Sequence, residues 1–245
     1  FRNCPFLSSI TLPEGLTSIG ESAFRDCSAL TSVTLPASLT NFGDGVFYNC
    51  TALTSITLPE ELTSIRDFTF FGCEAMTSID IPDEVTSIGE SAFESCSALA
   101  SINLPEELTS IGEAVFSDCT ALTTITLPEK LTSIAHNAFS RCSALVSVNM
   151  PEGLTNIGQA VFNHCSSLES ITLPEGVTEI DYRTFENCTS LTTVTCLSTT
   201  PPGLRDTSFS GCSALTAIYV PAGSVEAYRA AAGWSEHADI IKAIP

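Results

Sequence analysis

The sequence predicts a curved solenoid of stacked parallel strands. The sheet lies on its concave side, a short helical, 3-10 or irregular segment forms its convex side, and a small helical cap closes its C-terminal end. Three observations predict it. Cysteine recurs at Cys4, Cys27, Cys50, Cys73, Cys96, Cys119, Cys142, Cys165 and Cys188, each 23 residues after the last. Phenylalanine keeps the same step from Phe1 through Phe24 and Phe47 to Phe185, and proline does so from Pro13 to Pro174. A fixed period of this length is the signature of units that cannot bury an apolar face alone and stack to do so. The third observation is composition. Of 245 residues, 44% are hydrophobic and 15% charged, which is enough apolar material for a core and too little charge for a disordered chain.

Within one unit, apolar residues fall at Leu30, Val33 and Leu35, then Leu39, Phe42, Val46 and Phe47. Val33 and Leu35 alternate with Ser32 and Thr34, the period-two pattern of a half-buried strand. Pro36 ends the ladder because it has no N–H to give. After Ile19 or Ile65 the pattern loosens into Gly-Glu-Ser-Ala-Phe or a variant of it, where a short turn brings Ala23 and Phe24 inward on the convex side. The few large side chains of one unit release less on burial than ordering its backbone costs. Stability therefore depends on stacking between neighbours.

Leu30, Val33, Leu35, Pro36, Leu39, Phe42, Val46, Phe47 and Cys50 resemble the L-x-x-L-x-L-P-x-x-L-x-x-I-x-x-x-A-F-x-x-C pattern of BspA-like leucine-rich repeats. The likeness runs over residues 1–220, with strand segments starting at Leu7, Leu30, Leu53, Met76, Leu99, Leu122, Leu145, Leu168, Leu191 and Leu215. The chain lacks the Asn or Cys that follows the strand in the better-known leucine-rich repeat. Its cysteine stands three residues before the first leucine instead. The resemblance implies a leucine-rich repeat solenoid at the bacterial cell surface, used for adhesion or host contact, and it brings no catalytic residues.

The period breaks after Cys188: Thr199-Thr200-Pro201-Pro202-Gly203 replaces the usual acidic turn, and Cys212 follows by 24 residues rather than 23. Beyond Val220 the text changes. Ser224 reads as an N-cap, Val225 to Ala232 as helix and Gly233 as its end, with Trp234, Ile240 and Ile241 apolar. The solenoid is thus placed at residues 1–220 and the cap at 221–245. Phe1 already occupies the phenylalanine column in mid-repeat, so the natural protein is expected to continue upstream, with further repeats or a cap and an export signal.

Net charge is −19, from 28 acidic and 9 basic residues, which argues against nucleic acid or an anionic lipid surface as partner. No run reaches the roughly 18 apolar residues of a membrane span. In a stacked solenoid each position becomes a column with a spacing of about 4.8 Å. Just after the proline lie Glu14, Glu60, Asp83, Glu106, Glu129, Glu152 and Glu175, with Glu61, Glu84 and Glu107 in the next column. Like charges so spaced repel by about 0.9 kcal/mol per pair in a water-like dielectric. This edge reads first as a solvated rim that keeps the solenoid soluble; a rim meeting a basic partner and a divalent-cation ladder are the alternatives, although no D-x-D-x-D-G motif occurs.

The outward strand positions form two nearly uncharged columns. One holds Ser9, Ser32, Ser55, Ser78, Ser101, Thr124, Ser147, Ser170 and Thr193, the other Thr11, Thr34, Thr57, Asp80, Asn103, Thr126, Asn149, Thr172 and Thr195. Hydroxyls are an ordinary choice for an exposed strand, and a concave face for a protein or glycan ligand is the functional alternative. On that reading Asp80, Asn103, Asn149, Glu169 and Tyr219 set specificity. The cysteine column reads as buried thiols acting as small hydrophobes, because parallel Cβ vectors do not meet a disulfide's geometry. No C-x-x-C pair suggests a metal, His136, His164 and His237 stand apart from any nucleophile, and neither a G-x-S-x-G nor a phosphate loop occurs. The sequence thus points to an interaction protein without cofactor, with a passive spacer or a cation-regulated module as the other readings.

Overall fold

The computed structural model describes residues 1–245 as a single stack of turns around one continuous apolar core that runs from Ile19 to Ile241. Each turn contributes the residues the periodicity nominates. In the second turn Leu30, Leu39, Val46, Phe47 and Cys50 are wholly buried, and Val33 and Phe42 nearly so.

The strand side is a parallel ladder in the register of the repeat. Ser9–Thr11 pairs with Ser32–Thr34, Thr124–Thr126 with Ser147–Asn149, and Ser170–Leu173 with Thr193–Cys196, which pairs in turn with Ala217–Val220. Between these blocks the ladder thins: the third turn pairs with neither neighbour, the fourth and fifth turns are joined by the single bridge Asp80–Asn103, and Asn103 bridges onward to Thr126. A second, shorter parallel ladder follows the proline turn, through pairs such as Ser18–Ile19 with Asn41–Phe42 and Ser110–Ile111 with Ser133–Ile134. The Ser-Ile pair that precedes the loosened region is therefore a short strand of its own.

The convex side takes the irregular form. Its backbone alternates in handedness: Ser22 and Asp26 have φ of 56° and 58°, and the pairs Ser91 and Ser95, Ala114 and Asp118, and Ala160 and His164 repeat this in later turns. Such alternation aims successive N–H groups to one side. Ser22, Phe24 and Asp26 accordingly donate to the carbonyls of Asp44, Val46 and Tyr48 at 2.8–2.9 Å, and the same triplet recurs turn after turn as far as His164; in the next turn Phe185 and Asn187 donate to the carbonyls of Ser208 and Ser210, while the Arg183 N–H donates to the Thr207 hydroxyl. Asp26, Asn49, Asp118, His164 and Asn187 share one left-handed column, and these are the side-chain types that tolerate such a backbone. Behind this ladder the phenylalanine rings stack at centroid spacings of 5.3–5.7 Å from Phe1 to Phe209.

The inserted residue lies in the Ser198–Pro202 loop, because Leu173 still faces Cys196 while Glu179 faces Gly203. The segment after Val220 closes over that loop. Tyr228 Oη donates to Ser198 O at 2.9 Å and Trp234 Nε1 to Pro202 O at 2.7 Å, and both side chains are fully buried. The helix is Val225–Ala230, shorter than expected, and Ser224 does not cap it: its hydroxyl donates instead to Thr199 O at 2.7 Å. Residues Ile241–Ala243 then pair with Ala217–Val220, so the closing segment supplies the last strand of the ladder.

Candidate functional site

The strand face places Asp80, Asn103, Thr126 and Asn149 side by side on adjacent turns, all exposed. The reason is local: each stands two residues after an outward serine or threonine and directly after a buried Ile or Val, so the strand alternation points it to solvent. Glu169 is exposed on the far side of the serine column, beside Val146 and Thr192, and its carbonyl accepts the Thr192 hydroxyl at 3.0 Å. Tyr219 lies further along the face, half-buried between Thr195 and Lys242. The five nominated residues thus divide into Asp80, Asn103 and Asn149 in one column, the last set off by Thr126, and two outliers.

Hydroxyls on this face are not equivalent. Thr31, Thr123, Thr192 and Thr216, one position before the outward serines or their equivalents, donate to the carbonyl of the preceding turn at 3.0–3.4 Å. The two outward columns, and with them Asp80, Asn103 and Asn149, make no side-chain hydrogen bond within the chain and keep their full capacity for a ligand.

The acidic columns lie on the surface. Glu60, Asp83, Glu106, Glu129, Glu152 and Glu175 are all exposed, and so are Glu61, Glu84 and Glu107. Lys130 interrupts the edge with an ion pair to Glu107, whose Oε2 is 2.7 Å from Nζ. Beside this edge the second and third turns, which do not pair with each other, leave an opening of about 630 Å³, lined by Val33, Leu35, Leu58, Pro59, Glu60 and Glu61. A second one of about 460 Å³ lies between Glu60 and Ile81, Pro82, Asp83 and Glu84.

The thiols are turned away from chemistry. Every column cysteine from Cys27 onward donates its S–H to the carbonyl of the phenylalanine 26 residues back, as Cys119 does to Phe93 O at 3.2 Å, and Cys212 does the same across the insertion to Phe185 O at 3.0 Å. Burial pushes the Cys96 and Cys196 thiols up to about 12. The histidines have structural partners: His136 Nδ1 accepts the Gln159 N–H at 2.8 Å, His164 bonds Asn187, and His237 packs edge-on against Phe209. No three His, Cys, Asp or Glu side chains converge at a spacing that would hold a metal ion.

Sequence reasoning overlooked an aromatic cluster on the turn side. Arg25 lies over the Tyr48 ring at 4.1 Å, and Tyr48 stacks on Phe71 at 4.5 Å and 5°. The column step from Tyr48 to Phe71 was the available signal, together with Phe68 where other turns carry small or polar residues.

These features define a leucine-rich repeat solenoid. The BspA-type leucine-rich repeat model matches residues 1–123 and 86–216 in six copies, and the chain belongs to that family. Among solved structures, the chain is similar to a leucine-rich repeat protein from Bacteroides ovatus at 31% identity and a TM-score of 0.71, over 97% of this chain and 66% of that one. It is also similar to the leucine-rich repeat protein TpLRR of T. pallidum at 34% identity and a TM-score of 0.63, over 66% of this chain and 78% of that one. No curated protein matches the chain. No helix is long and apolar enough to cross a membrane.

Proposed function

We propose that this solenoid is a non-enzymatic interaction module of a bacterial cell surface, and that it holds a protein partner bearing basic residues against its strand face and acidic edge. The observation that carries this reading is the run Asp80, Asn103, Thr126 and Asn149. These side chains stand in register on adjacent turns, exposed and without internal hydrogen-bond partners. A face that served only solubility has no use for distinct hydrogen-bonding identities in register. The acidic residues from Glu60 to Glu175 lie along the same face's border and favour a cationic partner by steering its approach. Non-enzymatic character is supported by thiols whose pKa lies far above that of a working nucleophile, and the surface location by family resemblance.

The test begins with binding of the chain to an array of extracellular-matrix proteins and glycans at physiological salt. Replacing Asp80, Asn103 and Asn149 together by Thr is expected to weaken binding to the protein found, with melting nearly unchanged, because exposed substitutions cost within about 0.5 kcal/mol each. Changing Glu106, Glu129 and Glu152 to Gln is expected to lower the association rate and flatten its salt dependence. Wild-type affinity and kinetics in both variants would replace this reading with that of a passive spacer.

A further inference from the structure

On the turn side, one position in the stack breaks its own column. The column reads Ser22, Gly45, Phe68, Ser91, Ala114 and Asn137, and all six have left-handed φ between 52° and 60°. Gly45 therefore leaves a gap that no other turn has: a Cβ placed there would meet nothing nearer than Tyr48 Cβ at 3.6 Å and Ser22 Oγ at 3.7 Å. The gap is a notch of about 280 Å³ lined by Glu21, Ser22, Arg25, Asp44, Tyr48 and Phe68 over the Gly45 backbone. Phe68 does not join the flat Tyr48–Phe71 stack. Its ring is inclined at 59° to Phe71 and borders the notch as a wall.

From this arrangement we propose that the notch over Gly45 binds one hexopyranose unit of an uncharged glycan. The wall is an aromatic ring, whose electron-rich face suits the weakly positive C–H face of a sugar ring. Around it stand acceptors on Glu21 and Asp44, donors on Arg25 and the Ser22 hydroxyl, which does both. Charge selects against anionic ligands. Arg66 Nε holds Asp44 Oδ1 at 3.1 Å, and Arg25, which lies over Tyr48, pairs with Asp26 Oδ2 at 3.4 Å, so both arginines are already engaged and Glu21 stands without an ion pair. An apolar side chain would strand those polar groups without partners, whereas a ring of hydroxyls satisfies them. The volume is close to the lower bound of about 300 Å³ for small-molecule pockets, room for one ring rather than an extended chain. This site lies on the turn side and does not depend on the strand-face reading.

Calorimetric titration of the whole chain with methyl α-D-mannoside, methyl β-D-glucoside and methyl β-D-galactoside tests the proposal. At least one is expected to bind saturably with a Kd on the order of 1 mM. Gly45→Asn, a residue that Asn137 shows to be compatible with this backbone, fills the notch without disturbing the fold. It is expected to weaken binding about tenfold or more at unchanged melting temperature, and Phe68→Ser to do the same. The Asp80, Asn103 and Asn149 triple variant is expected to keep sugar binding intact, which separates this site from the strand face. Absence of saturable binding for all three glycosides, or wild-type affinity in Gly45→Asn, overturns it.

Discussion

Cys119 shows how much one side chain does here. Its S–H reaches back to the carbonyl of Phe93, a group that also accepts the N–H of Cys96, so both lone pairs of a buried oxygen are used. A thiol fits this place because it is small, apolar in bulk and still a donor. Cys119→Ser, which keeps the donor, is therefore expected to be milder than Cys119→Val, which overfills the column and leaves the carbonyl short, at a cost of about 1–3 kcal/mol. The order of the two urea midpoints checks this. The same burial sets a pH dependence. The Cys96 and Cys196 thiols are raised from 9.0 to about 12 by desolvation. Raised folded-state values mean that the native chain holds protons the unfolded chain releases. Their contribution is thus complete below about pH 9 and lost as pH rises toward about 12, by about 1.4 kcal/mol per pH unit for each buried thiol. Urea midpoints that stay level from about pH 8 to about pH 11 would contradict this, as would rapid labelling of the thiols without denaturant. The burial of these cysteines was legible in their spacing. Their role as donors was not, because it depends on a carbonyl whose direction only the left-handed turn fixes.

At the scale of elements, the turn-side ladder is more regular than the strand ladder. Three N–H donors per turn run unbroken from Ser22 to His164, while the strand face between Thr34 and Asn103 is reduced to sparse bridging. The phenylalanine stack lies directly behind the continuous ladder, so its loss should be felt by both neighbouring turns. Phe116→Ala is expected to cost about 3–5 kcal/mol and to raise hydrogen exchange across residues 93–139. Loosening confined to the termini would refute coupling between adjacent turns. The long strands could be read from the alternation Val33, Thr34, Leu35, whereas the Ser18–Ile19 ladder could not, since two residues carry no period. The left-handed column left a trace in sequence, the recurrence of Asp, Asn and His at Asp26, Asn49, Asp118 and His164, which becomes meaningful once the backbone is known. The closing segment was legible as helix and apolar residues; that Ile241–Ala243 returns as a strand was hidden, because Ile-Lys-Ala is as compatible with a loop.

Across the whole molecule, two surfaces emerge from one repeat. The strand face is made of hydroxyl columns interrupted by Asp80, Asn103 and Asn149 and bordered by carboxylates, and its third to fifth strands are the loosest-paired part of the sheet. The turn side carries the aromatic cluster and the notch over Gly45. Columns made the first surface readable, because a deviation from Thr at a position known to face outward identifies itself. The second depended on one missing side chain beside one oversized one, and on ring orientation that spacing does not encode. The central claim is that partner binding occurs on the strand face. Hydrogen exchange of the chain alone and bound to the array-selected protein tests it most directly, since sparsely bonded amides near Thr57, Asp80 and Asn103 exchange readily when free and respond to a covering partner. The account predicts slowed exchange in peptides spanning residues 54–58, 77–81 and 100–104 with residues 22–26 and 45–49 unchanged. Protection confined to the turn side, with the strand face exchanging as in the free chain, would contradict it.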